Sequence, residues 1–184
     1  RVSTNAGYHF GWCRRLGLSH KLHRITQNVL VNFIKTQAPH LSVTENPPVG
    51  GLRGDLFVTN FQHCELPAIV DLSTIYVYSA KGTDAARKGP REAAILAANN
   101  KKRKYAPHLP PGNQVVLVPF VIESTGVLGH EAEQFMVRLS KDIEFWRDIS
   151  PKLLLRSFHM ELQCRYKRLY VEATVKCAQK HRTR

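Results

Sequence analysis

Apolar positions along the chain change period several times, and each change predicts a new element. From His23 to Ile34, the residues Ile25, Val29, Leu30, Phe33 and Ile34 recur at helical spacing. The pattern predicts a helix that begins near Ser19, a good capping residue, and ends before Pro39. Leu41-Ser-Val-Thr-Glu45 then alternates like a short strand. Asn46 to Gly51 reads as a turn leading into Gly51-Leu-Arg-Gly-Asp-Leu-Phe-Val58, which places Asp55 at the head of a strand. Asn60 to Glu65 reads as a hairpin connection to the run Leu66 to Tyr78, with Asp71 inside it.

Ser79 to Pro90 is polar and glycine-bearing, the composition of an exposed loop. Arg91 to Tyr105 is alanine-rich and free of glycine and proline, so it predicts a helix, and the prolines of Ala106 to Gly112 stop it. The run Val115 to Ile122 is apolar at every position, as in a central strand covered on both faces. Pro119 within it cannot donate to a ladder, which predicts a bulge or a sheet edge there. Helical spacing returns at His130, with Ala132, Phe135, Met136 and Leu139 on one stripe. A last helix from about Pro151 to Lys180 turns Leu155, Phe158, Leu162, Tyr166, Leu169 and Ala173 inward. The order predicts an α/β fold with a mixed sheet flanked by helices. Residues 1–18 read as a basic arm, 19–140 as the core and 141–184 as a basic helical C-terminal extension.

Composition changes the picture chiefly through charge. The chain carries 27 Lys and Arg against 14 Asp and Glu, a net charge of +13. A field of that sign attracts polyanions, and nucleic acid is the commonest of them. Cys13, Cys64, Cys164 and Cys177 stand far apart with no paired spacing, which points to a reducing compartment rather than a disulfide scaffold. His20 and His23 have no cysteine partners beyond Cys13, which argues against a structural zinc. No apolar run approaches the ~20 residues of a membrane span, so no membrane partner is expected. The first fifteen residues hold three arginines and no acid, as in a basic arm or the tail of an organellar transit sequence.

Two acids and a lysine delivered by strand, strand and helix are the parts of metal-dependent phosphodiester cleavage. Acids hold Mg²⁺, the metal lowers the pKa of a water, and a lysine stands beside the phosphate. Asp55 and Asp71 are the candidate ligands, Glu123 at the end of the buried run is a third, and Lys101 and Lys104 are the candidate lysines. At three-residue spacing both lysines can face the acids. Arg53, Lys88, Arg91, Lys102, Arg103, Arg165, Lys167 and Arg168 are candidate phosphate contacts, of the kind that position a nucleic acid without reading its sequence.

These pieces, in this order, resemble the restriction-like endonuclease domain of site-specific non-LTR retrotransposon proteins, a branch of the PD-(D/E)XK nuclease fold. The resemblance runs from about His20 to Met136. It rests on His23, Arg53-Gly54-Asp55, Asp71-Leu72-Ser73, Lys101-Lys102-Arg103-Lys104-Tyr105 and the buried run ending at Gly126. The departures are Gly54 for the family's proline, Leu72-Ser73 for its Val-Thr, and Leu22 for the arginine before its opening histidine. The resemblance implies a restriction-endonuclease-like core with Mg²⁺ as cofactor and DNA as target, in the nucleus if this is a retroelement enzyme. The departures, and basic residues spread along the chain, fit an alternative: a catalytically silent RNA-binding component of a ribonucleoprotein with protein neighbours, such as a mitochondrial ribosome.

Overall fold

A computed structural model describes residues 18–62, 66–76, 84, 87–89, 91–112 and 114–182. Within these residues four strands form one mixed sheet. They are β1 (Ser42–Glu45), β4 (Leu56–Thr59), β5 (Ala68–Ile75) and β6 (Val116–Glu123), in that spatial order. The first two pairings are antiparallel and the β5–β6 pairing is parallel. Strands β2 (Pro48–Val49) and β3 (Leu52–Arg53) form a separate small hairpin. Its turn residues Gly50 and Gly51 have φ of +50° and +87°, and a Cβ on Gly50 would lie 2.7 Å from the His108 carbonyl oxygen. Both positions therefore favour glycine.

The helices are α1 (Leu18–Gln37), α2 (Glu92–Tyr105), α3 (His130–Arg147) and α4 (Pro151–Arg182). Three of them cover one face of the sheet. Leu22, Leu30 and Ile34 of α1, Phe135, Met136 and Leu139 of α3, and Phe158, Leu162 and Tyr166 of α4 share one buried cluster with Val70, Leu72, Phe120 and Ile122. Alternation along β5 and β6 sends the intervening residues to the opposite face, where Val121 meets Ala94 and Ala98 of α2. Small alanines let α2 lie close on the sheet. The architecture is thus a mixed sheet between helices, as its sequence pattern predicts.

Two expectations change. Strand β6 is covered on both faces, yet it is the edge strand of the sheet among the described residues, with β5 as its strand neighbour and an isolated bridge from Ile122 to Leu128 on its outer side. Pro119 sits within an unbroken register, opposite Asp71. Val116 donates to the Pro67 carbonyl on the β5 side at 2.9 Å, so alternation turns the Pro119 nitrogen toward the outer edge, where no ladder bond is lost. The second change concerns the C-terminal helices. Position 140/141 lies inside α3, and α4 places Phe158 between Phe33 and Phe120, at ring centroids 5.4 and 6.4 Å away. These helices build the core rather than extend from it, and on α4 Leu154 is buried beside Leu155, which packs against the core half-buried. Residues 1–17 of the basic arm, and most of the loop 79–90, lie outside the described residues.

Removing Phe158 tests this packing. Phe158→Ala is expected to cost about 3–5 kcal/mol in urea unfolding, whereas exposed Leu153→Ala should stay within about 0.5 kcal/mol. Equal, small effects would mean that α4 is not part of the core.

Candidate functional site

Asp71 lies on the α2 face of β5 and is almost wholly buried. An unpaired carboxylate in that apolar setting would cost several kcal/mol. Lys101 of α2 reaches down to it: its Nζ donates to Asp71 Oδ2 and, at 3.0 Å, to the carbonyl oxygen of Leu72. Asp55 is positioned from the neighbouring strand. Its backbone N–H donates to the Val70 carbonyl at 3.1 Å, and its Oδ2 accepts the Leu72 N–H at 2.6 Å. Asp55 and Lys101 thus meet the same residue, Leu72, next to Asp71 in sequence. His23 of α1 completes the group by donating Nε2–H to Asp55 Oδ1 at 3.1 Å.

The charges act on one another. The Asp55 hydrogen bond raises the His23 imidazole above its ordinary value, against burial and the nearby Lys101 ammonium. Burial pushes the Asp55 carboxyl up, but His23, the Leu72 N–H and Lys101 outweigh it and leave it below its ordinary value. Tyr105, at the end of α2, donates its hydroxyl to the Arg53 carbonyl at 2.7 Å. Burial first, and the negative charge of Asp71 second, hold its phenol well above the usual range.

Gly54 now has a local reason. Its N–H donates to the Pro47 carbonyl at 3.0 Å, a bond proline cannot make, and a Cβ there would lie 3.1 Å from Ile69.

Not all the expected residues join this cluster. Lys104 is exposed, with its ammonium over the Tyr105 ring at 5.6 Å, because helical phase turns only Lys101 to the acids. Glu123 pairs in register with Ile75, four residues beyond Asp71. That is about 13 Å along the strand, so Glu123 is not a ligand of the same ion. Among the described residues, no three His, Cys, Asp or Glu side chains form a metal-holding group. Two carboxylates suit Mg²⁺, which commonly takes one or two and fills its remaining positions from water and phosphate.

The candidate phosphate contacts lie on both helical layers. On the α2 side, Arg91 pairs with Glu133 and Lys102 with Glu131, each at 2.6 Å, while Arg103 binds Asn100. Arg53 and Lys88 are exposed. On α4, Arg165 pairs with Glu161 at 2.8 Å and Arg168 with Glu172 at 3.1 Å, and Lys167 is exposed. Exposed pairs of this kind contribute about 0–1 kcal/mol and are readily given up to a phosphate.

His23, in sequence a motif residue and a rejected zinc ligand, has a definite contact in the structure, the Asp55 carboxylate. A second acid went unnoticed there. Asp142 of α3, 1% exposed, accepts from His40 and, at 2.9 Å, from the Gln62 N–H, and so ties two loops to α3. Its signal was an acid three residues after Leu139 on the inward stripe.

No family model matches the chain, and no curated protein matches it.

The His23–Asp55 pair has a defined pH window. Stability from His23 is fully present below its ordinary value of 6.5 and is lost as pH rises through its raised folded value. Stability from Asp55 is present above 3.8 and is lost as pH falls through its lowered folded value. His23→Gln should therefore lower the melting temperature most near pH 5, by about 2–4 °C for ~1 kcal/mol, and scarcely at pH 9. A pH-independent difference would show that the pair carries no charge interaction.

Proposed function

We propose that the chain is a nucleic-acid-binding domain of restriction-endonuclease-like fold whose Asp55–Asp71–Lys101 site nicks DNA with Mg²⁺. The observation that carries the reading is that Asp55 and Lys101 both bond Leu72 while Lys101 also pairs with the adjacent Asp71, so that a strand head, a strand interior and a helix bring two carboxylates and a lysine together. The net charge of +13 supports a polyanionic partner. Asp55 and Asp71 would hold the ion, which when bound supplies a water of lowered pKa and charge stabilisation at the phosphate. Lys101 places its Nζ beside Asp71, where it would meet an oxygen of a phosphate held by the ion. His23 fixes the orientation of Asp55, and Tyr105 ties the end of α2 to Arg53.

A second reading, a silent RNA clamp in a ribonucleoprotein, is favoured by one specific observation. Both acids already have counter-charges, Asp71 in Lys101 and Asp55 in His23. Basic residues on both helical layers suit a domain held between RNA segments.

Incubating labelled duplex DNA with the protein and Mg²⁺ or Mn²⁺ separates the two. Under the first reading the duplex is nicked, and Asp71→Asn and Lys101→Met each lower the rate by about a hundredfold or more. No nicking, with RNA binding that weakens linearly in log salt and is unchanged in Asp71→Asn, would replace it with the second.

A further inference from the structure

A groove separates α1 from α4 on the face away from α2, with a volume of about 520 Å³. That is room for a ligand the size of one or two nucleotides, within the range of about 300–1,000 Å³ typical of binding sites. Its floor is apolar: Ile25, Phe33 and Phe158, the two rings locked edge to face with centroids 5.4 Å apart. Its walls carry the exposed amides Asn28 and Asn32 and the hydroxyl of Ser157. At i, i+4 on α1 the two amides are about 6 Å apart along the helix axis.

A second hollow of about 340 Å³ shares Ile25 and Asn28 with the groove and continues it toward the start of α1. The carboxylates along this trough are neutralised from α4, Glu161 by Arg165 and Glu172 by Arg168. Lys21 and Arg24 at the far end are exposed and pair with no carboxylate among the described residues. The trough therefore offers a fixed aromatic floor, amides that can both donate and accept, and at one end cations with no carboxylate partner among the described residues.

We propose that this trough binds single-stranded nucleic acid, with an unstacked base against Phe33, base edges on Asn28 and Asn32, and phosphates on Lys21 and Arg24. Stacking on an aromatic ring beside a cationic track is how single strands are held, and amides match base edges. A duplex offers no free base face to this floor, so the trough is selective for unpaired strands. The proposal rests on the nucleic-acid reading above but not on the Asp55–Asp71 site.

The test uses the full chain and short single strands, RNA and DNA, carrying 5-iodouridine or its deoxy counterpart. Irradiation should crosslink the iodinated base to Phe33, read by mass spectrometry of the digest. Asn28→Asp/Asn32→Asp changes two exposed positions, and intact folding is confirmed by its melting temperature. It should weaken single-strand binding about tenfold and leave duplex binding within about threefold. Lys35→Glu, on an exposed α1 residue outside the trough lining, makes the same change in net charge and should weaken single-strand binding less than about threefold. Single-strand binding with crosslinks elsewhere, or equal losses in the double variant and Lys35→Glu, would overturn the trough while leaving the nucleic-acid reading standing. No binding of any nucleic acid by the wild type would overturn both. Hydrogen-exchange protection of α1 by an unstructured peptide, with none from oligonucleotides, would assign the trough to protein and overturn the proposal.

Discussion

A carboxylate inside an apolar strand sets the terms for the rest of this structure. Asp71 sits where β5 is covered on both faces, and stripping a carboxylate of water costs several kcal/mol unless a counter-charge is at hand. Lys101 supplies it, which fixes the end of α2 against the sheet. Asp55, held on the Leu72 N–H, meets the same demand through His23 and so fixes α1. Packing by Ala94 and Ala98 brings α2 near the sheet, but the ion pair sets its position along the strand. Removing one partner of a buried pair costs about 3–5 kcal/mol, more than a surface contact returns. The same four side chains thus serve both the fold and any chemistry done there.

Much of this was visible in the sequence, for reasons that can be named. Strand and helix periods located every element of the main sheet, and they placed Asp55 at the head of one strand and Asp71 inside the next. What stayed hidden was tertiary. His23 and Asp55 are 32 residues apart, and His40 and Asp142 are 102 apart, so no local pattern joins them. Strand order decided that Glu123 falls about four residues past the site, and order is not written in period, although Pro119 did offer a sheet edge as one of its two readings for β6. Helical phase separates Lys101 from Lys104, but only once the face of α2 that meets the sheet is known. The C-terminal helices read as an extension because their basic positions outweighed an inward stripe that in fact closes the core.

The two functional readings share one geometry and differ in a competition between cations. Lys101 and His23 already neutralise the acids, and a divalent ion must do better than they do in the same partly buried space. Neither reading needs the basic surface to change. Its candidate arginines and lysines lie on both helical layers, and four of them, Arg91, Lys102, Arg165 and Arg168, stand in pairs with acids that a phosphate can replace. The trough between α1 and α4 adds a surface of different chemistry, aromatic and amide rather than only cationic. It would let the domain hold an unpaired strand on one face while the two-aspartate site lies on the other.

Competition at the aspartates is the central question, and Mn²⁺ titration followed by electron paramagnetic resonance addresses it without requiring a substrate. Wild-type protein is expected to bind one ion, and Asp71→Asn none. Absence of bound Mn²⁺ from folded wild-type protein that still binds nucleic acid would contradict the account. It would leave Lys101 and His23 as the structural partners of the two aspartates.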